Sequence, residues 1–113
     1  MDRRIKLVDY NALWPEMYRE EKRRIMEKVG HLIVDVEHIG STAIPGMKAK
    51  PIIDIMIAVK DLNIADECIT LLQELGYEYV PEPDFPERCF MRKGSPENRT
   101  HHISIVKHMG HSG

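Results

Sequence analysis

An α+β fold, a mixed β-sheet with two main helices packed on it, is what this 113-residue sequence predicts. Three observations carry the prediction. Two segments, residues 14–29 and 64–75, place apolar residues at helical spacing. Several short runs rich in Val, Ile and Tyr are either alternating or apolar throughout, as strands are. Glycine or proline separates nearly all of these segments. The length suits one domain over residues 1–113, of a size that removes roughly 65% of its unfolded surface from water.

Residues 5–8 are a short apolar run suited to an edge strand. Asn11 or Asp9 can cap the helix that follows, and Pro15 suits its first turn. Trp14, Tyr18, Ile25, Met26 and Val29 form its apolar stripe. Glu20, Glu21, Arg23 and Arg24 fill the opposite side, and Gly30 ends the helix. Residues 32–39 read as a strand with Val34, Val36 and His38 on one face and Asp35 and Glu37 on the other. A loop over 40–50 leads to a second strand over 51–59, apolar except at Asp54 and therefore expected in the sheet centre, covered on both sides. Asp61 or Asn63 can cap the second helix, with Ile64, Cys68, Leu71, Leu72 and Leu75 buried and Gly76 closing it. Residues 77–80 suit a strand. The prolines of 81–86 demand an irregular loop. Two last strands, 88–92 and 101–106, are joined by a polar hairpin connection over 93–100. Residues 107–113 carry no core-forming pattern and are expected to be a disordered tail.

Bulk properties exclude several classes. Eighteen acidic against sixteen basic residues, a net charge of -2, provide no global attraction for a nucleic-acid backbone. RNA binding would need a local patch, and Arg88, Arg92, Lys93 and Arg99 around the final hairpin are the candidates. Their other reading is a charged edge that discourages sheet-to-sheet pairing. No apolar run approaches the roughly 20 residues of a bilayer span, so no membrane partner is expected. Cys68 and Cys89 lack metal-type spacing and read as reduced thiols of a cytoplasmic protein. The seven methionines read as core filling.

The informative stretch is residues 38–55, HIGSTAIPGMKAKPIIDI. Gly40 admits a ligand close to the backbone, since no side chain stands in the way. Ser41 and Thr42 add hydroxyls beside exposed backbone N–H groups, a combination that can cradle an anion. Lys48 and Lys50 can add positive charge to the rim. A Walker A loop is excluded, because five residues rather than four separate Gly40 from Gly46 and Met47 follows. A dinucleotide-binding loop is excluded too, since Pro45, Gly46 and Pro51 permit about one helical turn before the next strand. Asp54, a carboxylate inside an apolar strand, must be paired, hydrogen-bonded or bound to metal. It reads either as a structural aspartate or as a metal ligand.

This run resembles the signature of the GrpB family, with Trp14-Pro15 and Thr100-His101-His102 as weaker likenesses flanking it. The resemblance implies a nucleotidyltransferase-like fold of the polymerase-β type, in which a Gly-Ser turn holds triphosphate and paired carboxylates hold divalent metal. Carried onto this sequence, Gly40 and Ser41 are the phosphate turn. Asp54 is the catalytic and metal-binding acid, with Mg²⁺ as its ion. His38, Thr42 and Lys50 join the phosphate contacts, and His102 stands behind Asp54 as a second shell. Two departures matter. The second acid of the pair falls at Met56, a soft thioether on the face of Asp54, and the final strand offers no carboxylate. Glu37 is the nearest spare acid, but alternation points it away from the His38 face. Family sequences also continue further, with helical sequence. The chain then reads as a shortened member or a fragment whose uncovered sheet favours a homo-oligomer.

Two functions are expected from this. One is transfer of a nucleotidyl or phosphoryl group from a nucleoside triphosphate to a small acceptor, with Mg²⁺. The other is a non-catalytic nucleotide- or phosphate-binding module in which Met56 marks the lost chemistry. A metal hydrolase built on His38, His101, His102 and Asp54 is a third.

Overall fold

A computed structural model describes residues 7–108. In chain order the elements are α1 (Trp14–Val29), β1 (Asp35–Ile39), β2 (Ile53–Val59), α2 (Ala65–Gln73), β3 (Tyr77–Val80), β4 (Arg88–Ser95) and β5 (Asn98–Lys107), with short 3₁₀ turns at Ser41–Ala43 and Leu62–Ile64. The five strands make one mixed sheet in the order β1-β2-β5-β4-β3. Only the central β2–β5 pair is parallel. The α+β class, the mixed sheet and the two helices are those the sequence predicts.

Both helices lie on one face of the sheet. Ile53, Ile55, Ile57 and Val59 of β2, Ile103 and Ile105 of β5, Met91 of β4 and Val36 of β1 point there and are buried against Ile25 and Val29 of α1 and Cys68 and Leu72 of α2. Burial of large aliphatic side chains contributes about 1.5–3 kcal/mol each, so this layer is the main source of stability. The other face carries Asp54 and Met56, both only half-buried. The expectation that the second strand is covered on both sides therefore fails among the described residues: a continuous apolar row fills one face of β2, and the helices described lie on that face alone.

Several boundaries differ from the sequence reading for identifiable reasons. Asn11 accepts a bond from the Leu13 N–H at 2.8 Å and so starts α1, with Pro15 in its first turn. Met26, expected in the stripe, is exposed, and so is Val34, which precedes β1. The methionines are not chiefly core filling, because Met91 is buried while Met17, Met26 and Met47 are exposed. The edge strand expected over 5–8 reduces to one antiparallel bridge, Val8 with Ala49; residues 5 and 6 lie outside the described range. The final hairpin is longer than predicted. Gly94, at φ +108°, accommodates a register shift, and the chain reverses at Pro96-Glu97. Lys107 belongs to β5, and the His108 N–H donates to the Val59 carbonyl, so the expected tail begins later than residue 107. Residues 109–113 lie outside the described range. Among the described residues no helix is long and apolar enough to cross a membrane.

Candidate functional site

Antiparallel pairing of β1 with β2 sets Ile39 opposite Asp54. The next residue, Gly40, takes φ +78° and ψ -172°, a region essentially closed to residues with a Cβ. A Cβ there would stand 2.6 Å from Asp54 Oδ2. The corner thus brings bare backbone against the carboxylate, which a side chain at position 40 would prevent. One 3₁₀ turn follows, closed by bonds from the Ala43 N–H to Gly40 O and from the Ile44 N–H to Ser41 O, both at 3.1 Å. As at any helix start, the first N–H groups have no partner within the turn.

Ser41, Thr42, Lys50, Ile52, Asp54 and His102 surround a cleft of about 200 Å³ on the helix-free face. Parallel pairing of β2 with β5 places His102 beside Asp54, with Nδ1 3.4 Å from Oδ1. Ser41 and Lys50 are exposed at the rim. Lys50 makes no salt bridge among the described residues, whereas Lys48 pairs with Asp9 at 3.4 Å. Asp54 is not an acid sealed in the core, as its place in an apolar strand suggested: its side chain keeps 38% of its exposure.

Thr42 is buried and has a structural task. Its Oγ1 lies 2.9 Å from His38 Nε2 and donates to Ile52 O at 3.4 Å. That chain assigns the ring proton to Nε2 of His38. His38 stacks on Tyr18 with ring centroids 4.8 Å apart. Burial pushes its pKa down, only partly countered by the Asp54 charge, so the neutral ring is favoured. His38 therefore sits behind the corner on the helix side, while Asp54 occupies the opposite face. Glu37, which points away from His38, consequently shares the face of Asp54 and lies directly across from Met56.

The four residues of the hydrolase reading do not converge. His38 and His101 are on the helix side, and Asp54 and His102 are on the open side. Among the described residues no three His, Cys, Asp or Glu side chains are grouped to hold a metal ion. Magnesium, however, commonly takes one or two carboxylates and completes its shell with substrate phosphate and water. A lone carboxylate beside the Gly40 corner would suit an ion that arrives with phosphate, and does not fit an all-protein metal cage.

His101 is nearly buried, its Nε2 3.9 Å from Glu21 Oε1. Glu21, assigned to the charged side of α1, is buried as well. It accepts bonds from the Tyr77 hydroxyl at 2.6 Å and from Lys93 Nζ at 2.7 Å. Burial opposes its ionisation, yet the Lys93 and Tyr77 bonds hold its pKa below the usual carboxylate value. The signal was present in the sequence, because position 21 falls between Tyr18 and Ile25 on the buried stripe. The candidate basic patch is largely paired internally: Arg88 pairs with Glu82, Arg92 and Arg99 share Glu78, and Lys93 pairs with Glu21. Cys68 and Cys89 are free thiols, and burial pushes Cys68 up to about 11.

A protein-family model described as GrpB protein matches residues 4–112. The UPF0157 protein SCO7215 of Streptomyces coelicolor is 49% identical over 80 residues, covering 70% of this chain and 42% of that protein. The crystal structure of conserved protein GrpB from Enterococcus faecalis is similar with TM-score 0.82 and 35% identity, over 90% of this chain and 61% of that one. A dephospho-CoA kinase of Mycobacterium bovis is 39% identical over 75 residues, 64% of this chain but 18% of the kinase. The chain thus spans less than half of the Streptomyces protein and under two thirds of the Enterococcus chain.

Proposed function

The chain belongs to the GrpB family, and from that premise we propose that the cleft at Gly40 binds the phosphates of a nucleoside triphosphate with Mg²⁺ on Asp54, and passes a nucleotidyl or phosphoryl group to a small acceptor. One observation carries the reading. The backbone conformation that brings the chain against the Asp54 carboxylate is one that glycine alone adopts readily, and it opens directly onto Ser41 and the cleft. A bound Mg²⁺ would supply charge stabilisation for the phosphoryl oxygens. Asp54 would hold that ion, the Gly40–Ser41 backbone would orient the phosphates, and Lys50 would offset their charge at the rim. His102 would keep the Asp54 carboxylate aimed into the cleft. Thr42 and His38 would hold the corner from behind. Kinship with the nucleotidyltransferase superfamily is part of the proposal, drawn from the Gly-Ser turn followed by a strand acid. The mycobacterial relative, named a kinase, is itself a phosphoryl-transfer enzyme.

A second reading, a nucleotide-binding module without catalysis, is favoured by Met56. It occupies the open face next to Asp54 where a second carboxylate would complete a two-metal clamp.

Titration calorimetry with a nucleoside triphosphate, with and without Mg²⁺, tests both. Transfer predicts Mg²⁺-dependent binding that Asp54→Asn abolishes, together with release of pyrophosphate or nucleoside diphosphate when acceptor is present. Metal-indifferent binding without turnover selects the module. Absence of any binding rejects both.

A further inference from the structure

We propose that the open sheet face next to the cleft, from His102 through Phe90 and Arg88 to Phe85, is the platform on which the base of the nucleotide stacks; this rests on the phosphate reading of the cleft. The row is continuous. The Phe90 ring meets His102 edge-on, centroids 5.1 Å apart and planes at 68°. The Arg88 guanidinium carbon stands 5.5 Å from the centroid of Phe90 and 5.5 Å from that of Phe85. Arg88 is fixed in place, because its Nε donates to Glu82 at 3.0 Å and its Nη1 to the Ser104 hydroxyl at 3.2 Å. A cation already held and charge-balanced between two rings offers a flat π surface at low ordering cost.

Three features point to a base as the occupant. Phe85 leaves 53% of its surface exposed in a proline-rich loop, and nothing in the core requires an aromatic ring there. Met56 shares the face of Asp54, with Ser104 between it and Phe90, and its soft side chain can form an apolar border on the cleft side of the platform. Beyond the rings a groove of about 650 Å³, bordered by Leu62, Phe85, Arg88 and Val106, has room for a ring system. Along β5 the step from His102 to Ser104, whose partner across the sheet is Phe90, is about 7 Å. A sugar between phosphate and base can bridge such a step. A single nucleotide fits better than an RNA strand, since the arginines and Lys93 of this sheet end are paired with Glu21, Glu78 and Glu82 and provide no cationic track.

Calorimetry with ATP and with inorganic tripolyphosphate, both with Mg²⁺, separates this inference from the reading beneath it. The wild-type chain should bind ATP roughly tenfold or more tightly than tripolyphosphate. Phe90→Leu and Phe85→Ala should each weaken ATP by roughly five- to 150-fold, given stacking worth about 1–3 kcal/mol per base, and leave tripolyphosphate unchanged. Phe85→Ala alters an exposed ring, so its fold is secure even if Phe90→Leu proves unstable. Equal wild-type affinity for the two ligands would overturn the platform while leaving the phosphate cleft standing, as would equal weakening of both by Phe85→Ala. Failure of both ligands to bind removes cleft and platform together. Tighter, Phe85-dependent binding of an oligoribonucleotide would replace the single-nucleotide assignment.

Discussion

Gly40 and Asp54 show how much a single position can decide. At φ +78° and ψ -172°, residue 40 occupies backbone space that costs any other residue about 1–3 kcal/mol. A methyl group there would also displace the Asp54 carboxylate. Gly40→Ala is therefore expected to lower stability by about 1–3 kcal/mol in chemical denaturation and to remove Mg²⁺-dependent triphosphate binding. A variant that is as stable as the wild type and binds equally well would contradict this account of the corner. Both residues were legible in the sequence, one as a glycine in a turn of small residues, the other as a lone acid in an apolar strand. The face that the Asp54 carboxylate takes relative to the preceding strand was not. Alternation sorts residues within a strand, but relating His38 and Glu37 of one strand to Asp54 of the next requires the register of their pairing, and that is set by the tertiary fold.

At the scale of elements, α1 is joined to the sheet by more than its apolar stripe. Glu21 ties it to β3 through Tyr77 and to β4 through Lys93, with His101 of β5 alongside. Removing the charge by Glu21→Gln leaves the Lys93 ammonium without its counter-ion and should cost about 3 kcal/mol. The pH dependence has a definite sign. Burial pushes His101 and His38 below the ordinary 6.5, so below that pH the unfolded chain binds protons first. Their contribution is complete above about pH 6.5 and is lost as pH falls toward their folded values. Glu21, held below the ordinary 4.5, adds a second loss as pH falls through its folded value. Thermal unfolding midpoints should then be level near pH 7–8, fall below about pH 6.5, and fall less in His101→Gln. A midpoint that rises on acidification from pH 7 to 5 would refute the assignment. Helix existence was readable from periodicity. The buried carboxylate was missed because a charge was sorted by its chemistry rather than by its slot on the helical stripe.

For the whole molecule, fold class and the order of elements from α1 onward followed from the sequence because local periodicity and glycine-proline punctuation determine them. Strand order and the one-sided packing of helices did not, since β5 enters between β2 and β4 through a long-range pairing that no local pattern announces. That pairing nevertheless makes the site, by placing His102 beside Asp54 on the face that carries no helix among the described residues. The most direct test of the central claim is diffraction from crystals soaked with a nucleoside triphosphate and Mn²⁺, with Mn²⁺ located by its anomalous scattering. The account predicts an anomalous peak at bonding distance from Asp54, with phosphate density against the Gly40–Ser41 backbone. Triphosphate bound elsewhere, or Mn²⁺ distant from Asp54, would contradict it.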